Sequence, residues 1–388
     1  MNTVKGWAFE MSQDLKPADV ALFLPAFTIG GVERMRLNLA QGFLKAGYSV
    51  EMVALDASGP LRDEVPEGVR VIDLGGGRML GALPKLVRYF QHHKPRTFLS
   101  ALDYANLVSL WAHGIARVDT RIYIGTHKVL SLATAESVLL REKVVMPALL
   151  RRAYPRANGI IAVSDGIADD LVKYLGLPQK RVTVIHNPAL TDKVLAQAQY
   201  PVEHPWLATP EDAARTIISV GRLDRQKDFP TLLRSVHKLR KTRPDLRVII
   251  LGEGPDRTRI AAAATTLGLE LGQGGQVDLP GFTTNPYAYM SRAALFVSSS
   301  EWEGFGNVHV EALGCGCPVV STDSPSGPAD ILENGKYGPL VPVGDAAALA
   351  TAIDQTLKDP LPSEQLHARA MTFHVDRVLE NYLFLMQL

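Results

Sequence analysis

Cysteine is nearly absent: only Cys315 and Cys317 occur in 388 residues, separated by a single glycine. Two thiols so close together cannot staple distant segments, which excludes a secreted disulfide framework. A closed zinc site would need a second thiol pair or a histidine cluster, and neither accompanies them. No metal is expected there, and the pair reads as small residues packing at a helix end. Long apolar runs are missing as well. None approaches the roughly 20 residues that a bilayer-spanning helix requires. The first 18 residues are mixed polar and carry acids, without the apolar stretch of a signal peptide. The expectation is a cytoplasmic protein. Excess charge of either sign is also lacking, since 41 basic and 40 acidic residues leave a formal net charge of +1. Nucleic acid is therefore not an expected partner.

What is present is a soluble globular composition, 46% hydrophobic and 21% charged. The chain exceeds the roughly 250–300 residues beyond which a single core divides, so two domains are expected. Strand-sized apolar runs recur at Val20–Pro25, Val50–Leu55, Val69–Leu74, Thr97–Ser100, Arg121–Gly125, Gly159–Val163 and Val182–Ile185, with helical patterns between most of them. After Asn187-Pro188 the rhythm stops, and it restarts with strands at Thr216–Val220, Arg247–Leu251, Gln276–Leu279, Leu295–Ser298 and Val319–Thr322. Asp345 should cap a helix running to Leu357. Alternation of this kind means parallel strands with crossover helices, buried on both faces. The predicted organisation is a flexible N-terminus (1–18), a first Rossmann-like domain (19–190), a strandless connection (191–214), a second such domain (215–372) and a closing helix (373–388) packed back on the first. Ligands of doubly wound sheets sit at the carboxyl ends of strands, so the cleft between the two sheets is the expected site.

Four segments carry the candidate chemistry. In Ser300-Glu301-Trp302-Glu303-Gly304-Phe305-Gly306-Asn307, two glycines permit a tight loop after a strand, and Asn307 is a candidate helix cap with Glu311 one turn inside. Glu303 and Glu311 could each accept paired hydroxyl hydrogen bonds, as sugars and ribose present them. Taken alone, they could equally be a solvated loop residue and a surface helix residue. In Gly221-Arg222-Leu223-Asp224-Arg225-Gln226-Lys227-Asp228, Arg222 and Lys227 flank a turn between a strand and a helix. Two cations beside helix N-terminal amides suit a diphosphate; an exposed basic turn pairing with Asp224 or Asp228 is the alternative. Gly30-Gly31 lets backbone amides approach a phosphate between the first strand and first helix. Gly252, in Leu251-Gly252-Glu253-Gly254-Pro255, opens a turn that lacks the third glycine of a nicotinamide fingerprint, because Arg257 occupies that place. It is counted with the substrate-binding residues.

Together these residues closely resemble the family-four retaining glycosyltransferases, from about Val20 to the C-terminal helix. The most specific stretch is Glu303 to Val320, where Glu-Gly-Phe-Gly, the second Glu-Ala and Gly-Cys-Pro-Val-Val fall in the family's order and spacing. The resemblance implies a GT-B fold, two domains facing each other across a cleft, and a nucleotide diphosphate sugar as donor, with UDP the expected nucleotide. It implies that Arg222 and Lys227 hold the diphosphate and that Glu311 accepts the ribose hydroxyls. Glu303 would face the donor sugar beside the main-chain amides of Phe305, Gly306 and Asn307. Gly31 would belong to a loop closing on the phosphates, and His127 matches a family histidine that contacts the donor sugar. No metal cofactor is implied. The loop Asp323-Ser324-Pro325-Ser326-Gly327-Pro328-Ala329-Asp330 departs from the paired glycines and glutamate of many relatives. His309 stands where relatives often have an aliphatic residue and reads as helix packing, and His92, His93 and His186 are likewise read as structural.

The acceptor implied is a glycan or lipid-linked glycan. Arg141, Lys143, Arg151, Arg152 and Arg156 flank Val144, Val145, Met146, Leu149 and Leu150, a pattern that suits an interfacial helix at the inner face of an anionic membrane. An internal helix with charged ends, interrupted by Pro147, reads as well. Rival functions are a nucleotide-sugar epimerase or hydrolase on the same scaffold, or a non-catalytic nucleotide-sugar-binding protein.

Overall fold

The computed structural model describes residues 16–388 apart from Val138 and Leu140. The flexible segment expected at 1–18 lies, up to residue 15, outside the described residues. The first sheet holds seven strands: β1 (Val20–Ala26), β2 (Val50–Asp56), β3 (Arg70–Asp73), β4 (Thr97–Ala101), β5 (Arg121–Thr126), β6 (Gly159–Ala162) and β7 (Val182–Val184). Their order is β3-β2-β1-β4-β5-β6-β7. The second holds β8 (Thr216–Val220), β9 (Arg247–Leu251), β10 (Val277–Gly281), β11 (Leu295–Ser298), β12 (Val319–Thr322) and β13 (Leu340–Val341), ordered β10-β9-β8-β11-β12-β13. Every pairing is parallel. The reason is visible in β1, whose Val20, Ala21, Leu22, Phe23 and Leu24 are all buried. A strand without a polar face must be covered by helices on both sides, and only crossover connections supply them. Strand β13 was not anticipated, because two residues are too few to give a pattern.

In each sheet the winding reverses once, between β1 and β4 and between β8 and β11. Open sheets bind ligands at such points, and here the two of them face one another. The two domains, a GT-B arrangement, are joined by two crossings of the chain that run side by side. Leu190 N donates to Phe373 O at 3.3 Å and Val375 N to Leu190 O at 3.0 Å.

The segment 191–214 is more than a connection. It contains a helix, Asp192–Ala198, whose N-cap Thr191 accepts from Val194 N, and the helical turns Pro205–Leu207 and Pro210–Ala213. Pro205 and Pro210 open those turns, where a missing N–H costs nothing. The closing helix Val375–Met386 lies against the helix Gly31–Lys45. A Cβ on Gly42 would stand 3.1 Å from Val375, and Val378, Leu379, Tyr382 and Met386 join Leu22 and Phe43 in one core.

Candidate functional site

Glu303 follows β11 and is 6% exposed. The Lys227 ammonium lies 2.5 Å from its Oε1, Ser300 Oγ donates to the same oxygen at 2.8 Å, and Gln226 Nε2 reaches Oε2 at 3.4 Å. Burial pushes the Glu303 carboxyl up. The charge of Lys227, the neighbouring His309 and the Lys227 and Ser300 hydrogen bonds outweigh it, leaving the group below its ordinary value. Two further bonds bind the loops after β8 and β11 into one unit: Glu301 N donates to Gln226 O at 2.8 Å, and Ser299 Oγ to Lys227 O at 2.8 Å. Arg222 stands at the start of the β8 loop with its side chain 74% exposed, 3.8 Å from Asp224. It is free to swing towards an anion, whereas Lys227 is already engaged.

Gly252 stands behind this turn. Its φ is +139°, and a Cβ would fall 1.9 Å from Gly221 O, so only glycine lets the β9 loop pack under the β8 loop. The helix Asn307–Gly314 carries Glu311 on the other side of the cleft floor. Burial raises the Glu311 carboxyl to about 7, against the pull of Arg34, the Tyr287 hydroxyl and Lys227. Arg34 belongs to the first domain, so a cation crosses the cleft to face this acid.

Asn307 does not cap its helix. Gly306, with φ +90°, holds the cap position, and Asn307 is the first helical residue. Its side chain turns to the other domain instead, where Asn187 Nδ2 donates to Asn307 Oδ1 at 2.9 Å. Gly31 comes to the same place: a Cβ there would stand 3.5 Å from Asn307 Nδ2. A Cβ on Gly30, just before it, would stand 2.3 Å from the flexible end of Glu33, which would have to move aside. Phe305 is 3% exposed, stacks on His186 at 5.4 Å and packs against Phe373 at 5.6 Å, so only its backbone can border a ligand.

His127 follows β5 immediately. Burial and then Arg36 push its ring down to about 3. Both ring nitrogens lack a hydrogen-bond partner, as do Arg36 Nε and Nη1 and Asn187 Oδ1. Buried polar groups are normally paired.

The structure therefore brings Glu303, Lys227, Glu311, Asn307, Gly31 and His127 to one cleft, with Arg222 at its rim and Gly252 behind it. Several further contacts join the two domains beside these residues. Ser164 Oγ donates to Gly304 O at 3.1 Å and contacts Ser326 Oγ, while Asp165 N donates to Asp330 Oδ2 at 2.7 Å. His186, read as structural, lies 3.6 Å from Asp330 across the cleft. The one available signal was position: each of these first-domain residues follows a strand of its sheet. His309 matches its packing role, with Nδ1 at 3.0 Å from Gly306 O and Nε2 at 3.0 Å from Ser321 Oγ.

The segment expected to form an interfacial helix is helical throughout, a π-helical turn at Arg141–Val145 running directly into an α-helix at Met146–Ala153. Val144 and Val145 are 59% and 51% exposed, whereas Leu150 is in the core at 1%. Pro147 sits at the start of the α-helical part, where the wider π turn gives way to it. Among the described residues no helix is long and apolar enough to cross a membrane, and no group of three or more His, Cys, Asp or Glu could hold a metal ion.

Residues 29–193 match the model of Glycosyltransferase Family 4, and residues 208–372 that of Glycosyl transferases group 1. A Campylobacter jejuni N-acetylgalactosamine-N,N'-diacetylbacillosaminyl-diphospho-undecaprenol 4-alpha-N-acetylgalactosaminyltransferase is 32% identical over 60% of this chain and 61% of its own. The Rhizobium meliloti lipopolysaccharide core biosynthesis glycosyltransferase LpsE is 34% identical over 52% of this chain and 54% of that one. The chain thus matches little more than half the length of these relatives. Among solved structures, the lipopolysaccharide outer core galactosyltransferase WaaB superposes with a TM-score of 0.72 at 17% identity, over 95% of this chain and 99% of that one. Anabaena HepE in complex with UDP gives 0.74 at 19% identity, over 94% and 98%. At such identities the likeness speaks for the fold.

Proposed function

Because the chain belongs to the family-four glycosyltransferases, each half matching its own family model, we propose that it is a retaining hexosyltransferase that moves a sugar from UDP to a glycan or lipid-linked glycan. The observation that carries this reading is the Lys227–Glu303 pair, buried at the point where Gly304 touches His127 of the facing domain. A cation for a leaving diphosphate, an acceptor for sugar hydroxyls and a second domain to exclude water are thus assembled at one place. The solved neighbour bound to UDP and the relative named for a diphospho-undecaprenol substrate support the choice of nucleotide and acceptor.

In this mechanism Arg222 and Lys227 take up the charge that develops on the diphosphate as the bond to the anomeric carbon breaks. Preorganised charges of this kind are worth several kcal/mol of barrier. Glu311 holds the ribose hydroxyls. Glu303 and His127 orient the sugar, and closure of the domains brings the acceptor hydroxyl against the anomeric carbon. The hydroxyl attacks on the face the diphosphate leaves, and its proton passes to the departing phosphate. No protein nucleophile is needed. No metal is needed either, since the two cations already answer the diphosphate charge. The exposed Val144 and Val145, among Arg141, Lys143, Arg151 and Arg152, would rest on an anionic membrane at its inner face and bring a lipid-linked acceptor within reach.

The test is UDP release from UDP-sugars with and without a glycan acceptor extract. Release that requires acceptor supports the transferase. Acceptor-independent release would make the protein a hydrolase or epimerase, and tight binding without release would make it a binding module.

A further inference from the structure

The loop from Asp323 to Asp330, which departs from the family pattern, lies against three successive residues of the first domain. Ser164, Asp165 and Gly166 open the helix Asp165–Leu175 after β6. Gly304 O lies 3.1 Å from Ser164 Oγ and 2.8 Å from Ser326 Oγ, and the two hydroxyls touch each other. Asp165 N is the first N–H of its helix, a donor that no turn of that helix can use. It donates to Asp330 Oδ2 at 2.7 Å. Gly166 has no side chain to hold the loop away, since a Cβ there would stand 2.9 Å from Ser326 Cα.

The loop is shaped to make these contacts. Ser326 has φ +78°, a left-handed conformation uncommon outside glycine. Gly327 has φ +86°, and a Cβ on it would fall 2.0 Å from Phe305 O, so the loop also rests on the backbone two residues after Glu303. Behind it, Arg369 donates to Asp330 O at 2.5 Å and to Ile331 O at 2.8 Å, which presents the Asp330 carboxylate on a fixed backbone. His186 Nε2 stands 3.6 Å from the same carboxylate oxygen, beyond hydrogen-bond reach.

We propose that Asp330 is a positioning residue: by capping a helix of the opposite domain it clasps the closed cleft and sets how Glu303 and His127 face one another during transfer. The proposal rests on the transferase reading. A carboxylate at a helix N-terminus gains a charge-assisted hydrogen bond and the attraction of the helix dipole. Here that gain exists only while the two domains are together. The clasp acts beside the reacting groups, because Gly304, held by the same loop and by Ser164, is the neighbour of Glu303 in the chain.

The bond can be cut from either end in the full chain. Asp330→Ala removes the acceptor. Asp165→Pro removes the donor N–H at the first helical position, where proline is well tolerated. Ser164 before it is already extended, at φ −157° and ψ 160°, as a residue preceding proline must be. Each variant should lower kcat about tenfold, the effect of losing one hydrogen bond to a charged group. The double variant should lose no more than either alone. Asp165→Ala keeps the N–H and should stay within about twofold of wild type. Asp330→Asn, with an acceptor oxygen in the same place, should lose less than Asp330→Ala. UDP affinity by calorimetry should not change. Small-angle scattering at saturating UDP should give a larger radius of gyration for Asp330→Ala and for Asp165→Pro than for wild type. Multiplicative losses in the double variant, a wild-type rate in Asp165→Pro, or unmoved scattering curves would overturn the proposal. Should Asp330→Ala not fold, Asp165→Pro removes the same bond from the other domain and decides the matter. Absence of UDP release from any donor in the wild type would count against the transferase reading, while scattering still decides the clasp.

Discussion

Gly304 of the second domain rests against the carbonyl of His127 in the first: a methyl group on Gly304 would fall 2.0 Å from that oxygen. The closed cleft therefore depends on one missing side chain. Gly304→Ala should fold and bind UDP almost as before, since most of the proposed nucleotide contacts come from the second domain. Its transfer rate should drop by about a hundredfold, the cost of an ångström-scale misplacement. Calorimetry with UDP and single-turnover kinetics separate the two effects, and an unimpaired rate would show that transfer does not require this contact.

Glu303 and Glu311 should fail differently. Glu311→Gln removes a charged acceptor from the ribose and should weaken UDP and donor about ten- to a hundredfold, chiefly in KM. Glu303→Gln should leave free UDP affinity nearly intact and lower kcat more than about tenfold, because its contact with the sugar tightens as charge develops. It also strands Lys227 without its carboxylate, so folding must be checked alongside. Equal losses of UDP affinity in the two proteins would reverse the assignment.

Glu311 should also give nucleotide binding a pH dependence near neutrality. With its carboxyl raised to about 7 by burial, the ionised form that best accepts ribose hydroxyls is lost as the pH falls below that point. UDP affinity should decline from pH 8 to pH 6, and the part due to Glu311 should vanish in Glu311→Gln, which leaves the titration of UDP itself. The stability effect runs the other way. A carboxyl raised in the folded state stabilises below its unfolded value of about 4.5, and that contribution is lost as pH rises through 7. Glu311→Gln should accordingly melt higher than wild type at pH 8, by roughly 1–3 kcal/mol of stability, and differential scanning calorimetry at pH 5 and pH 8 would reveal it.

Transfer should survive excess chelator, given Arg222 and Lys227 on the diphosphate. Loss of activity on chelation, restored by magnesium or manganese, would place a metal ion in the reaction.

Vesicle flotation addresses the membrane surface. Binding to anionic vesicles should be present at low salt, fall at about 0.5 M salt as surface charges are screened, and weaken on changing Val144 and Val145 to serine. Absence from the floating fraction at low salt would leave the acceptor to arrive by another route.

Much of the fold was legible because its elements are locally encoded. Val20–Leu24 and Arg247–Leu251 are apolar runs of strand length, and Asp345 caps its helix through Ala347 N and Ala348 N. The candidate site was legible where glycines and charges crowd a strand end, as at Gly221 to Lys227 and Glu303 to Glu311. It was not legible where a residue's partner lies in the other domain. Asn307 looks like a cap because caps are chosen by short-range rules, yet its side chain is claimed by Asn187, 120 residues earlier.

The sequence by itself determined two parallel sheets, their strand ends and the glycine turns there, because burial on both faces and tight turns leave a signature within a few residues. Tertiary structure alone decided which strand ends meet: Ser164 with Gly304, Asn187 with Asn307 and His186 with Asp330. Those contacts join segments about 120 to 145 residues apart. No local periodicity records such a pairing, since it follows from the order of strands in each sheet and the angle at which two finished domains close.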